Sequence, residues 1–98
     1  MSAYQLTPAA EDDLDELWAF IAADSPAAAD RVEQELFATF DHLATMPGIG
    51  RRRTDWTDKP VLFFPAGNYL IVYRDTNPLQ IVRVLHGARQ IPAILRSI

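Results

Sequence analysis

Arg83, His86 and Arg89 fall within seven residues, in the segment IVRVLHGARQ at positions 81–90. Two guanidinium groups and an imidazole are the residue types that handle phosphate. Cutting RNA without a metal needs three functions. A base must take the proton of the ribose 2′-OH, cations must stabilise the pentavalent phosphate, and an acid must protonate the leaving oxygen. Arg74, Arg83 and Arg89 offer positive charge, and His86 can exchange a proton near neutral pH. The base is the part hardest to find. Between Gly50 and Pro60 stand Arg51, Arg52, Arg53, Asp55 and Lys59. Guanidinium stays protonated and is a poor base; Asp55 is a possible one. Two other readings fit the same residues. They can form a docking surface for another protein. Or they finish a strand: His86 bonds a nearby backbone or carboxylate group, Gly87 permits a bend, and Arg83 pairs with an acid on a helix.

The elements that must position these groups follow from periodicity. Ala3 to Thr7 reads as a short strand. Thr7-Pro8 is a helix start, because the threonine oxygen accepts an orphan N–H and proline has none to lose. Ala10, Leu14, Leu17, Trp18 and Ile21 then recur at helical spacing. Ser25-Pro26 repeats the signal, and Ala29, Val32, Leu36, Phe40 and Leu43 form a second stripe, ended by Met46-Pro47-Gly48. The short connection predicts a helical hairpin. Val61–Phe64, Tyr69–Arg74 and Leu79–His86 read as strands, the last two as an antiparallel hairpin. A short helical tail is expected over Pro92–Ile98. The predicted class is α+β, in the order β-α-α-β-β-β: a helical hairpin packed on a mostly antiparallel sheet. Residues 1–98 are expected to form a single domain.

Charge divides the chain. Residues 1–50 hold Arg31 against ten acids, and residues 51–98 hold eight bases against Asp55, Asp58 and Asp75. The halves therefore carry −9 and +5. The acidic half would repel a phosphate backbone, so direct sequence-specific DNA binding is not expected. The acid pairs Asp12/Asp13 and Asp15/Glu16 read as a solvated helix face, since consecutive helical residues point apart. There is no cysteine and there are two histidines, so neither a metal site nor a cofactor is expected. No leader or membrane span is visible, and the cytoplasm is the expected location. Two helical stripes look insufficient to cover an open sheet. That makes Phe20, Phe37 and one of Phe63 and Phe64 candidates for an exposed apolar partner site.

The chain resembles the ParE branch of the RelE/ParE toxin superfamily. The resemblance rests on Tyr4, Leu6 and Ala10 followed by Asp13-Leu14, on Leu43 and Pro47, on Gly50-Arg51, on Tyr69-Leu70-Ile71-Val72-Tyr73-Arg74, and on Ile81 through Arg89. It implies a toxin of a type II toxin–antitoxin pair that arrests growth by binding and poisoning DNA gyrase. It also implies neutralisation by a ParD-like antitoxin in a hetero-oligomer. Arg83, His86, Arg89 and Arg74 would then be target contacts. Phe20, Phe37, Phe63, Phe64, Arg51, Arg52 and Arg53 would face the antitoxin. RelE-like members instead cut messenger RNA on the ribosome, with lysines or a glutamate near the helix-to-sheet connector and a tyrosine or histidine near the end of the last strand. On that alternative His86 is the acid, and Arg74 and Arg83 clamp phosphate. A third possibility is a non-toxic family member that only binds antitoxin.

Overall fold

Two proline-led helix starts organise the first half of the chain. In the computed structural model, which describes residues 3–87 and 91–98, strand β1 (Tyr4–Leu6) stops at Thr7, and helix α1 (Pro8–Ala22) begins. The Thr7 hydroxyl accepts from the Ala10 N–H at 3.0 Å and donates to the Val82 carbonyl at 2.7 Å. One side chain thus caps the helix and ties it to the sheet. Ser25 caps helix α2 (Pro26–Thr45) in the same way, accepting from Ala28 N–H. A 3-10 turn (Pro47–Ile49) follows. Then come strands β2 (Leu62–Ala66), β3 (Tyr69–Arg74) and β4 (Leu79–His86), and a short helix α3 (Ile91–Leu95).

The four strands lie in the order β1-β4-β3-β2. β2–β3 and β3–β4 are antiparallel, and β1 pairs with β4 in parallel through Tyr4↔Leu79 and Leu6↔Ile81. β2 runs one residue beyond Pro65. Proline is tolerated there because β2 is an edge strand that needs no outward N–H at that position. Gly67-Asn68 closes the β2–β3 hairpin. Gly67 takes φ +60 and no other residue type has a positive φ among the described residues, the pattern of a turn with glycine at its first central position.

Each sheet face has its own core. On one, α1 and α2 bury Leu14, Leu17, Leu36, Phe40 and Leu43 against Ile71, Tyr73, Ile81 and Val84. On the other, Val61, Phe63, Val72, Val82 and Leu85 are covered by Ile91 and Leu95 of α3, with Trp56 and Ile98 at the margin. The chain therefore covers its second face itself, contrary to the expectation of an open sheet. Lys59 fastens this cover: its ammonium donates to the carbonyls of Leu95 at 3.1 Å, Arg96 at 3.3 Å and Ile98. Those oxygens include ones that the end of a helix leaves without an intrahelical donor. On the first face, the fully buried Tyr73 hydroxyl donates to Pro47 O at 2.7 Å and accepts from Gly50 N–H at 2.9 Å, fixing the exit of α2.

Candidate functional site

β1 is three residues long and β4 is eight, so the last half of β4 extends past its parallel neighbour. α1 lies alongside that overhang. Asp13, on the second turn of α1, reaches into the gap and completes the strand edge. Its Oδ2 accepts from Arg83 Nε at 2.7 Å and from the Val84 backbone N–H at 2.9 Å, and its Oδ1 accepts from Arg83 Nη2 at 2.9 Å. The side chains of Arg83 and Asp13 are 18% and 11% exposed. The bidentate fork is the strong form of this ion pair. These bonds also hold the Arg83 pKa above its ordinary value, so the group stays a cation and is no proton acceptor. Asp13 is thus not part of a solvated face, as its sequence neighbours suggested; the strand edge opposite it requires a carboxylate.

Beyond this clamp, α1 and β4 enclose a groove of about 410 Å³ lined by Asp13, Glu16, Leu17, Phe20, Tyr69 and the β4 residues Val84, Leu85 and His86. Phe20 stands at its lip with 82% of its surface exposed. His86 is exposed at the end of β4 and packs edge-on against Tyr69, with ring centroids 5.7 Å apart. Sequence reasoning singled out Phe20 as an antitoxin contact and His86 as a target contact, and the structure places both along this groove. That reasoning missed that Glu16, Leu17 and Tyr69 join them, because the chain positions are brought together only when α1 lies along β4.

The other predicted residues are dispersed. Arg74 pairs with Gln80, donating to its side-chain oxygen at 2.7 Å. In the β3–β4 register Arg74 faces Gln80 while Tyr69 faces His86. Arg74 and His86 therefore sit at opposite ends of the hairpin, roughly 20 Å apart at the strand rise of about 3.4 Å per residue. Arg51 bridges Phe63 on the far edge of the sheet, three strand spacings from β4. Arg51 and Arg52 are exposed. Arg53 is engaged, forking onto Asp55 at 2.7 and 3.0 Å and lying 3.6 Å over the Trp56 ring. That fork holds the Asp55 carboxyl below its ordinary pKa, which weakens it further as a base. Arg89 lies outside the described residues. Of the proposed apolar contacts, only Phe20 is largely exposed. Phe63 is buried at 3% exposure in the second core, and Phe37 and Phe64 are partly buried against the first. The expectation that one of Phe63 and Phe64 is exposed does not hold: Trp56 and the α3 cover bury Phe63, and Phe64 packs partly against the first core.

Among the described residues, no group of three or more His, Asp or Glu side chains could hold a metal, and no helix is long and apolar enough to cross a membrane. Residues 4–91 match the family described as ParE toxin of type II toxin-antitoxin system, parDE. A protein of Sinorhizobium fredii (strain NBRC 101917 / NGR234) named "Putative toxin Y4kP" is 33% identical over 82 residues, covering 84% of each chain. A solved chain described as the chromosomal ParDE TA system from P. aeruginosa superposes with a TM-score of 0.69 at 20% identity, over 88% of this chain and 96% of that one. At that identity the likeness speaks for the fold.

Proposed function

Since the chain belongs to the ParE toxin family of type II toxin–antitoxin systems, we propose that it arrests growth by binding and poisoning DNA gyrase. On this reading it is a single toxin domain over residues 1–98. It works in the cytoplasm without a cofactor, and a cognate ParD-like antitoxin holds it inactive in a hetero-oligomer. The observation that supports binding over RNA cleavage is the dispersal of the phosphate-handling groups. Arg74 and His86 stand at opposite ends of a hairpin, Arg83 is locked onto Asp13, and Asp55 is held by Arg53. A cleavage site must bring acid, base and cation to within bonding reach of one phosphate. His86 and Arg74, together with Arg89, are then contacts for a protein target, and the exposed Arg51 and Arg52 face the antitoxin. Arg83 serves by holding β4 in place.

The test pairs two assays on one preparation: gyrase supercoiling and ribosome-dependent messenger cleavage. Inhibited supercoiling with intact messenger supports the proposal. Messenger cuts that vanish in His86→Ala with the fold retained would refute it in favour of a RelE-like nuclease. Expression without antitoxin that leaves growth unchanged would mark a non-toxic, antitoxin-binding member of the family.

A further inference from the structure

The sheet separates the charge of this chain by face. Residues 8–45, which pack on the first face, carry ten acids against Arg31, a net −9. Residues 51–60 and 91–98, which cover the second, carry five bases against Asp55 and Asp58, a net +3. The bridge to β2 shows where these bases lie. Arg51 stands opposite Phe63 in an antiparallel bridge, and directly opposed residues share a face. Its side chain therefore leaves on the side of Phe63, the second face. Trp56 packs edge-on to Phe63 and carries the Arg53 guanidinium on its ring. Lys59 donates to the Arg96 carbonyl just past α3. Arg53 is neutralised by Asp55, and Lys59 is engaged by carbonyls. That leaves Arg51, Arg52 and Arg96 exposed and without an ion-pair partner among the described residues.

This arrangement weakens the repulsion that the acidic half would exert on phosphate. Its carboxylates stand on the far side of the sheet and of two cores, beyond the Debye length of about 10 Å at 0.1 M salt. The second layer also lacks what a protein interface is built around, a large apolar anchor that a partner can desolvate. Among the described residues the exposed large apolar side chains are Phe20 and Met46, and both belong to the helical layer. Exposed arginines on an otherwise polar surface suit a phosphodiester backbone instead. We propose that the second layer contacts the phosphate backbone of duplex DNA through Arg51, Arg52 and Arg96. The contacts go to phosphate alone, so they carry no sequence preference. The choice of DNA as the source of phosphate rests on the gyrase reading above, in which the target itself holds a duplex. On that reading the antitoxin faces Arg51 and Arg52 until it leaves.

The experiment uses the full chain and a fluorescein-labelled DNA duplex, read by anisotropy. Three phosphate contacts predict a log–log salt slope of about −2.7, so affinity should fall about 40-fold from about 50 to about 200 mM salt. A second duplex of unrelated sequence should bind within about 3-fold of the first. Arg51→Gln, Arg52→Gln and Arg96→Gln should each reduce the slope by about 1. The triple variant should bind at least about 10-fold more weakly at the lower salt. All three side chains are exposed, and urea unfolding checks that the variants keep the fold. The proposal is overturned if the triple variant binds the duplex as the parent does, or if the parent shows no salt-dependent binding. It is also overturned if single-stranded RNA binds more tightly than the duplex, or if a polyglutamate peptide does, since the partner is then an acidic protein. A supercoiling assay separates this from the gyrase reading. Duplex binding through the three arginines by a chain that leaves supercoiling uninhibited upholds the DNA-contacting face and refutes the gyrase reading. Inhibited supercoiling by a chain that does not bind the duplex refutes the face and leaves the gyrase reading standing.

Discussion

Replacing Asp13 with alanine removes the acceptor of three hydrogen bonds at once. It leaves a guanidinium that is 18% exposed without its counter-charge, and it leaves the Val84 N–H without its acceptor on an edge that no strand covers. Removing one partner of a fully buried pair costs about 3–5 kcal/mol. The residual exposure of both side chains and the screening it brings lower this to about 2–4 kcal/mol. That is a large share of the 5–15 kcal/mol typical of a small domain, and corresponds to a fall in Tm of roughly 10–20 °C. Asp12→Ala, one residue away and exposed, should stay within about 0.5 kcal/mol. Urea unfolding at neutral pH reads both variants. A double-mutant cycle with Arg83→Ala should return a coupling of about 1.5–3 kcal/mol, the range of charge-assisted bonds. If Asp13→Ala unfolds at the same urea midpoint as the parent, the clamp contributes nothing and the structural role given to Arg83 is wrong. The same pair bears on function. Should Arg83→Ala abolish growth arrest while stability is unchanged, Arg83 is a target contact after all.

Tyr73→Phe strips the partners from Gly50 N–H and Pro47 O and should cost about 1–3 kcal/mol in urea unfolding. Gly50→Ala should cost a similar about 1–3 kcal/mol by overpacking, because a Cβ there would lie 2.7 and 2.8 Å from carbons of the fully buried Tyr73 ring. Burial, with a smaller push from Asp75, raises the Tyr73 pKa. The fold therefore favours the neutral phenol, and the unfolded chain releases that proton first. Stability is full below the ordinary tyrosine pKa of about 10 and falls as pH rises above it, a loss that Tyr73→Phe should reduce when urea midpoints are compared across that range. Gly67→Ala forces a side chain into φ +60 and should cost about 1–2 kcal/mol. Lys59→Met should leave the first core intact but speed amide hydrogen exchange in α3 and shift Trp56 fluorescence, since the tail loses its three-way tether.

The sequence carried most of the scaffold because local signals agreed. Thr7-Pro8 and Ser25-Pro26 state their helix starts in residue types that leave little choice. The alternating apolar runs of Tyr69–Arg74 and Leu79–His86 state their strands to the residue. The site was legible only in pieces. Phe20 stood off its helical stripe and was rightly suspected of exposure, whereas Phe63 looked similar and is buried. The difference is made by Trp56, edge-on to Phe63 at 5.3 Å, and by α3, five residues whose apolar pattern is too short to announce a face. Lys59 was read as one more charge in a polar connector, because nothing in its neighbours points to a carbonyl cluster 36 residues later. The Asp13 clamp was half visible. A helix acid was expected for Arg83, but which one depends on how far β4 outruns β1, a length comparison between strands that are not adjacent in sequence.

The parallel pairing of β1 with β4 also fixes when this protein can be complete. The first strand waits for a partner more than seventy residues downstream: Thr7 bonds Val82, and Asp13 bonds Arg83 and Val84. A chain emerging from the ribosome can close its helical hairpin early, because those contacts are local. It cannot seat its N-terminal strand, nor build the groove between α1 and β4, until nearly all of the chain is out. Contacts of such long sequence separation are made late and slowly. That groove is therefore one of the last parts of the molecule to exist.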